Sequence, residues 1–198
     1  MTHRISPLDA AAIAALRPAL AGALVAVTGP AGGGRSTVAR QLAGAGAQVL
    51  PAGEVMERVL ASARTPGAPA ELGCLISAEV LVVDEVGWLT GRERTLPAVR
   101  DVFVRRGAAG ATTILADGRA DGSLGDLLRG LGPVTAVELI EPTREEKLTW
   151  LRLVALEMGI EFGVRQTHQV ADTQPWTLAG ARAALVAAAA AVRLVSPC

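Results

Sequence analysis

A glycine-rich run in the first quarter of the chain carries the residue types that bind phosphate. It reads Gly29-Pro30-Ala31-Gly32-Gly33-Gly34-Arg35-Ser36-Thr37. Glycines allow successive backbone N–H groups to turn inward and form a nest for an anion, and the positive end of a following helix points to the same place. A serine hydroxyl at this spacing is a ligand for a Mg²⁺ ion that bridges two phosphates. The alternative is a glycine-rich turn that binds nothing.

Arg35 stands where the phosphate-loop pattern G-x-x-x-x-G-K-[ST] places a lysine. A lysine ammonium is a compact point charge, whereas the arginine guanidinium is planar and carries a fixed fork of donors. Both bring positive charge to a phosphate, so the exchange is compatible with binding. It can move charge away from the position that stabilises phosphoryl transfer, where placement decides the rate. The sequence therefore predicts nucleotide binding with slow hydrolysis or none.

Two acids follow a short apolar run further along the chain. Residues 80–83 read Val-Leu-Val-Val, and Asp84 and Glu85 come directly after them. An apolar run without alternation is typical of a strand buried on both faces of a parallel sheet, and ligands bind at the carboxyl ends of such strands. Asp84 is a candidate Mg²⁺ ligand together with Ser36, and Glu85 is a candidate catalytic residue that orients water. The alternative is an acidic turn after a core strand.

Asp117 follows another apolar run and is a candidate sensor of a γ-phosphate, with a plain turn as the alternative. The predicted strands that place these residues cover 23–28, 48–50, 80–85, 111–116 and 134–140. The predicted helices cover 8–20, 38–43, 54–63, 93–106, 124–131, 144–158, 164–172 and 177–195. Alternating strands and helices indicate a parallel α/β sheet.

The end of the chain is predicted to be helical throughout. Thr143 and Glu146 match a capping box at the start of helix 144–158. We therefore expect an α/β nucleotide-binding core, residues 1–141, and a helical lid, residues 142–198. Two further expectations concern the core: residues 64–73, rich in proline and glycine, form a loop, and the arginines of helix 93–106 (Arg100, Arg105 and Arg106) lie on a solvated face.

The composition argues against several classes of function. The formal net charge is zero, and the chain has three tryptophans, two phenylalanines and no tyrosine. Neither a basic face nor base stacking therefore supports broad nucleic-acid binding. Cys74 and Cys198 lack metal-ligand spacing and are interpreted as reduced thiols. No signal peptide and no apolar run of membrane length is visible, so we expect a cytoplasmic protein without membrane contact.

The sequence resembles the AAA+ ATPases, in the branch of the replication initiator DnaA and its regulatory relative Hda. Residues 78–95, Ala-Glu-Val-Leu-Val-Val-Asp-Glu-Val-Gly-Trp-Leu-Thr-Gly-Arg-Glu-Arg-Thr, are similar to the family's Walker B region. Residues 141–148 resemble the start of the family's lid, and residues 178–181, Leu-Ala-Gly-Ala, resemble its sensor 2 helix. The resemblance covers most of residues 22–195 and implies a P-loop NTPase core with a small three-helix lid.

The resemblance also implies ADP or ATP with Mg²⁺ as cofactors, and it assigns roles to single residues. Asp84 would contact Mg²⁺, Glu85 would activate water, and Asp117 would lie near sensor 1. Trp176 occupies the position of the family's sensor 2 arginine, and Arg182, one turn away in the lid, is a candidate substitute. The arginine finger falls near Leu131, where Arg129 is the nearest arginine. The phosphates and the metal would be held by Gly29, Gly34, Arg35, Ser36 and Thr37.

A protein partner is the last implication of the resemblance, because nucleotides in this family lie between subunits. The partner would be another AAA+ protein or a second copy of the chain. The initiator's DNA-binding domain has no counterpart, so strong intrinsic nucleic-acid binding is not expected. Residues 4–8 lack the glutamine of the family's clamp-binding motif, so the resemblance does not support a sliding clamp as a partner.

Three functions are compatible with these residues. The favoured one is a nucleotide-binding, Hda/DnaA-like regulatory protein that acts through a partner in the control of replication initiation, with weak or no ATP hydrolysis. The second is an active Mg²⁺-dependent ATPase with Glu85 as the base. The third is a scaffold that has lost nucleotide binding.

Overall fold

The computed structural model describes residues 1–64, 69–116, 123–160 and 163–195. Its strands are β1 (Thr2–Ile5), β2 (Leu24–Thr28), β3 (Gln48–Pro51), β4 (Val80–Asp84), β5 (Thr112–Ala116) and β6 (Val134–Leu139). They form one parallel sheet in the spatial order β1-β6-β2-β5-β4-β3. The predicted parallel α/β sheet is therefore present, and its central strands are β2 and β5.

Helices connect the strands. They are α1 (Ala10–Leu16), α2 (Arg35–Ala43), α3 (Ala52–Arg64), α4 (Pro69–Ser77), α5 (Leu96–Ala108), α6 (Ser123–Leu128), α7 (Arg144–Glu157), α8 (Val164–Ala171) and α9 (Leu178–Val195). Short 3-10 turns cover Arg17–Leu20 and Val86–Leu89. No helix within the described ranges is long and apolar enough to cross a membrane.

Two elements differ from the sequence-based expectation. The prediction of a loop over residues 64–73 is wrong for residues 69–73, which belong to helix α4 (it begins at Pro69). Proline suits the first turn of a helix, and Leu75 of α4 is fully buried, so packing supports a helix that local composition did not indicate. Strand β1 was not predicted either. It pairs with β6 at the sheet edge and buries only Ile5, which leaves little periodic signal.

Apolar side chains cover both faces of the sheet. On one face α1 and α2 pack on the strands through Ile13, Val38, Leu42 and their neighbours. On the other face α3 to α6 pack through a second cluster that includes Phe103. The alternate residues of β4 are divided between the two clusters, as expected for a strand buried on both sides. Helix α2 thereby lies across β2, β5 and β4.

A third apolar cluster lies among α7, α8 and α9. Its buried members include Leu151, Trp176 and Leu185, and Leu8 of the N-terminal segment packs against it. The capping box predicted at the start of α7 is confirmed, since the Thr143 hydroxyl accepts from the Glu146 N–H and the Glu146 carboxylate accepts from the Thr143 N–H. The assignment of these three helices to a separate lid domain stays a prediction.

Arg106 does not lie on a solvated face, contrary to expectation. Its side chain is fully buried. Its guanidinium donates to the carbonyls of Leu75, Ala78 and Thr112 and to the hydroxyl of Thr113. Burial lowers the pKa of Arg106 to about 10, so the guanidinium keeps its charge at neutral pH. A cation at the carboxyl end of α4 is favourable there because the carbonyls of a helix end carry partial negative charge.

Candidate phosphate-binding site

The glycine-rich loop leads directly from β2 into α2. Gly34 is the N-cap of α2, and a glycine has no side chain with which to cap this terminus. The first helical turn presents its N–H groups at the end of the helix that carries partial positive charge. Gly33 donates its N–H to the Pro30 carbonyl over 3.0 Å and closes a tight turn in the loop. This arrangement suits an anion.

Two loop glycines require a left-handed backbone and a close approach from α9. Gly32 and Gly34 have φ of +70° and +90°. A Cβ on Gly32 would lie 2.6 Å from the methyl carbon of Thr177, and a Cβ on Gly34 would overlap the Leu178 side chain. The Leu178 N–H also donates to the Gly32 carbonyl over 3.3 Å. The first residues of α9 therefore lie against the loop.

Arg35 is buried, with 9% of its surface exposed, at the first position of α2. Its Nη1 donates to the Gly29 carbonyl over 2.7 Å. The guanidinium is therefore held beneath the loop, where it contributes positive charge. Gly29 itself packs against the end of β6, since a Cβ there would lie 2.7 Å from Cβ of Leu139.

Ser36 and Asp84 are brought together although they are far apart in sequence. The Ser36 hydroxyl donates to Oδ1 of Asp84 over 2.9 Å. The contact arises because α2 lies across the sheet and its first turn reaches the carboxyl end of β4. Hydroxyl and carboxylate oxygens are the ligands that Mg²⁺ prefers. The pair predicted to bind metal is thus adjacent.

Arg40 is a third member of this cluster that sequence reasoning missed. Its Nη2 lies 3.5 Å from Oδ2 of Asp84, and its side chain is 60% exposed while that of Asp84 is 13% exposed. Ser36 and Arg40 are four residues apart on α2, so they share one face of the helix. The signal in the sequence was this spacing, but it pointed to Asp84 only once the position of α2 on the sheet was known.

Glu85 follows Asp84 with an unusual backbone. Its φ is +58°, the one positive value at a non-glycine residue in the described ranges. Its N–H donates to Oδ1 of Asp84 over 3.0 Å, and its side chain is exposed. Backbone strain of this kind clusters at functional sites. Glu85 is thus placed beside the Ser36–Asp84 pair, at the mouth of the candidate site.

Two predicted site residues remain, Thr37 and Asp117. Thr37 is exposed on α2, one residue after Ser36. Asp117 lies outside the described residues, so its sensing role stays a prediction. Within the described ranges no group of three or more His, Cys, Asp or Glu residues is arranged to hold a metal ion. A metal at Ser36 and Asp84 would therefore need ligands from a bound phosphate or water.

Trp176, which the resemblance aligns with the sensor 2 arginine, is packed inside the third cluster. Its ring meets Trp150 edge to face, with centroids 6.0 Å apart. The Lys147 ammonium lies 5.3 Å from the Trp176 ring centroid and 2.8 Å from Oε1 of Glu141. The hydrogen bond from Lys147 lowers the pKa of Glu141 below its usual range. The Trp176 indole N–H is buried without a partner in the described part of the chain.

Comparisons with known proteins identify the fold. The sequence matches no protein-family model and no curated protein sequence. Domain III of the Thermotoga maritima replication initiation protein DnaA superimposes with a TM-score of 0.70 at 13% identity, over 89% of this chain and 80% of that one. The chain has the fold of DnaA domain III. The predicted α/β fold, a parallel sheet core followed by three helices, is therefore confirmed.

Two longer DnaA structures show the same similarity. AMPPCP-bound DnaA from Aquifex aeolicus matches with a TM-score of 0.68 at 15% identity, over 87% of this chain and 57% of that one. DnaA bound to AMPPCP and single-stranded DNA matches with a TM-score of 0.70 at 15% identity, over 88% and 58%. The chain thus spans a little over half of these two structures.

The residues present fit a nucleoside phosphate with a divalent cation. The N-terminus of α2 and the buried Arg35 provide donors and charge for an anion. Donation of the Ser36 proton to Asp84 leaves lone pairs of the hydroxyl oxygen for a cation. Such a cation would neutralise charge on the phosphates, and Asp84 would orient the Ser36 hydroxyl. The engagement of the second Asp84 oxygen by Arg40 is the one feature that departs from a simple metal site.

Proposed function

We propose that this chain binds ADP or ATP in the loop of residues 29–37 and acts as a nucleotide-gated regulatory protein. The observation that carries the proposal is the convergence of three features at one place. These are the glycine-capped start of α2, the buried cation of Arg35 and the hydrogen-bonded pair of Ser36 and Asp84. Together they offer backbone donors and positive charge to a polyphosphate, and hard oxygen ligands to its divalent cation.

The comparisons support a nucleotide as the ligand. Two of the DnaA structures that share the fold carry AMPPCP, a nucleotide analogue. One of these two proteins is a replication initiator, and the domain III structure belongs to a replication initiation protein. We extend both points to this chain: its ligand is an adenine nucleotide, and its process is the control of DNA replication initiation, in the manner of an Hda/DnaA-like protein.

Hydrolysis by the isolated chain is proposed to be weak or absent. Trp176 stands at the sensor 2 position, and an indole has no charge to stabilise a developing phosphate anion. Arg35 replaces the lysine of the phosphate loop and is held by the Gly29 carbonyl over 2.7 Å. Glu85 would orient water, but the positive charge that the family's sensor 2 arginine supplies for phosphoryl transfer would be missing.

Regulation is proposed to work through the contact between the loop and α9. Leu178 donates to the Gly32 carbonyl, and Thr177 packs on the same glycine. Phosphate binding that turns the loop N–H groups toward the ligand would also move the Gly32 carbonyl. The position of α9, and with it the surface of the last three helices, would then depend on the bound nucleotide.

A protein partner is proposed to recognise that surface, either another AAA+ protein or a second copy of the chain. Large apolar side chains are exposed on α7, α8 and α9, namely Leu153, Leu156, Val164 and Val186. Leu156 is 78% exposed and Val164 is 70% exposed. Helices α7, α8 and α9 pack on one another, and a contiguous exposed apolar patch is typical of a surface that binds another protein.

Calorimetric titration of nucleotide-free protein with ADP and with ATP tests the binding proposal. We expect micromolar or tighter binding to the wild-type chain. Arg35→Ala should weaken it by about 10- to 100-fold, because a charged hydrogen bond contributes about 1.5–3 kcal/mol. Arg35→Lys keeps the charge and serves as the matched control, with affinity close to wild type. Absence of binding to correctly folded wild-type protein would favour the scaffold function instead.

Turnover and assembly are tested separately. In an assay of phosphate release, the wild-type chain should show no robust Mg²⁺-dependent turnover, and Glu85→Gln should change little. Fast turnover that Glu85→Gln abolishes would establish the ATPase alternative.

Sedimentation tests the partner. The chain is measured alone and mixed with a DnaA-type initiator, each in ADP and in ATP. Nucleotide-dependent complexes support the proposal, whereas a monomer that ignores the initiator in both nucleotides contradicts it.

A further inference from the structure

The carboxylate of Asp84 has a separate partner on each oxygen. Oδ1 accepts from the Ser36 hydroxyl over 2.9 Å and from the Glu85 N–H over 3.0 Å. Oδ2 faces the Arg40 guanidinium at 3.5 Å. The Asp84 carboxylate therefore already has a cationic partner within the protein, the Arg40 guanidinium.

The position of helix α2 keeps Arg40 beside Asp84. It lies on the second turn of α2, and the buried residues Val38, Ala39 and Leu42 fix that helix on the sheet. The Asp84 side chain is only 13% exposed, so bulk water screens its charge less than it screens that of a surface carboxylate. A guanidinium carries five N–H donors. The Arg40 side chain is 60% exposed, so it is accessible to solvent and to a ligand as well as to Asp84.

We propose that Arg40 supplies the positive charge that Mg²⁺ supplies in a conventional phosphate loop, so that this chain binds the metal-free nucleotide about as well as the Mg²⁺ complex. The inference rests on the proposed nucleotide binding and specifies its cofactor requirement. Arg40 neutralises Asp84 and reduces its attraction for a second cation. With Arg35 it outweighs the charge of Asp84 and leaves net positive charge beside the loop for a polyphosphate.

The test is an ADP titration in four arms: wild type and Arg40→Gln, each in excess EDTA and in excess Mg²⁺. We expect the wild-type Kd to differ by less than about twofold between EDTA and Mg²⁺. Arg40→Gln should weaken binding in EDTA by about tenfold, a change of about 1.4 kcal/mol, and Mg²⁺ should restore most of it. The variant then gains the metal dependence that the wild type lacks.

Two further variants control the experiment. Arg105→Gln removes an arginine that is also exposed and paired with an aspartate, 2.8 Å from Asp101 on α5. It makes the same change in net charge away from the loop and should leave both Kd values unaltered. Arg40→Lys keeps the charge and should keep binding independent of Mg²⁺. It also allows the test to proceed if Arg40→Gln does not fold, as judged by circular dichroism.

The outcomes distinguish this inference from the proposed function. Wild-type affinity that rises tenfold or more with Mg²⁺ overturns the role of Arg40 and leaves nucleotide binding established. Loss of affinity in Arg40→Gln that is equal in EDTA and Mg²⁺ also overturns it, because Arg40 would then act only on phosphate. No binding by folded wild type in either condition overturns the proposed function and this inference together.

Discussion

The backbone N–H of Leu178 donates a hydrogen bond to the carbonyl of Gly32 over 3.3 Å. Leu178 is the first residue of α9, and Gly32 lies at the centre of the glycine-rich loop. A main-chain contact therefore joins the candidate phosphate site to the last helix without an intervening side chain. Any change in the loop backbone alters the support of α9, which gives the proposed nucleotide gating a physical route.

Replacing Gly32 with alanine is expected to destabilise the protein more than the same change at Gly46. Their φ values are +70° and +87°, so both variants carry the strain of a left-handed alanine, about 1–2 kcal/mol. A Cβ at Gly32 would lie 2.6 Å from Thr177, whereas a Cβ at Gly46 meets nothing within 4 Å. We expect Gly32→Ala to cost about 1–3 kcal/mol more because of this overlap. Urea unfolding followed by circular dichroism measures both.

A second substitution tests whether Thr177 is the source of that difference. Thr177→Ser removes the methyl carbon nearest to Gly32 and keeps the hydroxyl that accepts from the Gly180 N–H over 3.0 Å. Added to Gly32→Ala, it should recover part of the lost stability. If Gly32→Ala and Gly46→Ala lose the same free energy of unfolding, α9 does not rest on the loop in solution.

Much of the fold followed from local patterns in the sequence. The bounds of β2, β4 and α7 agree with the prediction to within one residue, because each is marked by a local signal. An unbroken apolar run marks the two strands, and a capping box marks the helix. The adjacency of Ser36 and Asp84 was also expected, since the loop after β2 and the end of β4 lie at the same edge of a parallel sheet.

Contacts that depend on how helices lie on the sheet were not predictable in this way. Arg40 reaches Asp84 only because α2 crosses β5 to overlie β4. Arg106 looked like a surface residue because charged helical positions are usually solvated. Its burial depends on α4, whose carbonyls it binds, and α4 lies partly in a stretch whose prolines and glycines indicated a loop.

Replacing Arg106 with methionine is expected to cost about 3 kcal/mol or more in the free energy of unfolding. The change removes the partner of the carbonyls of Leu75, Ala78 and Thr112. Each buried acceptor left unsatisfied costs about 1–3 kcal/mol. Because the Leu75 and Ala78 carbonyls lie at and just after the end of α4, hydrogen exchange should also show that the end of α4 opens first. Chemical denaturation measures the total loss.

The neighbouring residue provides the control for that experiment. Arg105→Met removes the same charge and a similar volume from the same helix, but Arg105 is 56% exposed and pairs with Asp101 at the surface. Such a pair contributes at most about 1 kcal/mol. Losses of similar size at positions 105 and 106 would show that the buried hydrogen bonds of Arg106 do not stabilise the fold.

Acid is expected to remove the stabilisation that Asp172 provides to α7 and α8. Oδ1 of Asp172 lies 2.7 Å from Nε of Arg144, and this hydrogen bond lowers the pKa of Asp172 below its usual range. A carboxyl whose pKa is lower in the folded protein stabilises it above the unfolded pKa, and the effect is lost as the pH falls through the folded pKa. The difference in Tm between wild type and Asp172→Asn should be largest at neutral pH.

That difference should begin to shrink near pH 4, where an unfolded aspartate titrates, and should vanish on further acidification (the ordinary Asp pKa is about 3.9). A double-mutant cycle with Arg144→Gln assigns the effect to the pair. At neutral pH the double variant should be no less stable than Arg144→Gln alone. A Tm difference that stays constant from pH 7 to pH 3 would contradict the link to Asp172 ionisation.

Lys147 and Glu141 are expected to respond unequally to the loss of their partner. The Lys147 side chain is 6% exposed and that of Glu141 is 61% exposed, with 2.8 Å between Nζ and Oε1. Glu141→Gln leaves a buried ammonium without its counter-charge, which is costly, whereas the Glu141 carboxylate left by Lys147→Met is hydrated. Thermal unfolding at neutral pH should therefore rank Lys147→Met above Glu141→Gln in Tm.

Methionine keeps most of the apolar stem that packs beside Trp176, and buried ion pairs are often replaced by apolar side chains without loss. Lys147→Met should therefore remain within about 1 kcal/mol of wild type. In the Lys147→Met background, Glu141→Gln should have almost no further effect, because the charge that needed the carboxylate is gone. A Tm for Lys147→Met below that of Glu141→Gln would instead mean that the ammonium itself holds Trp176 in place through its contact with the ring.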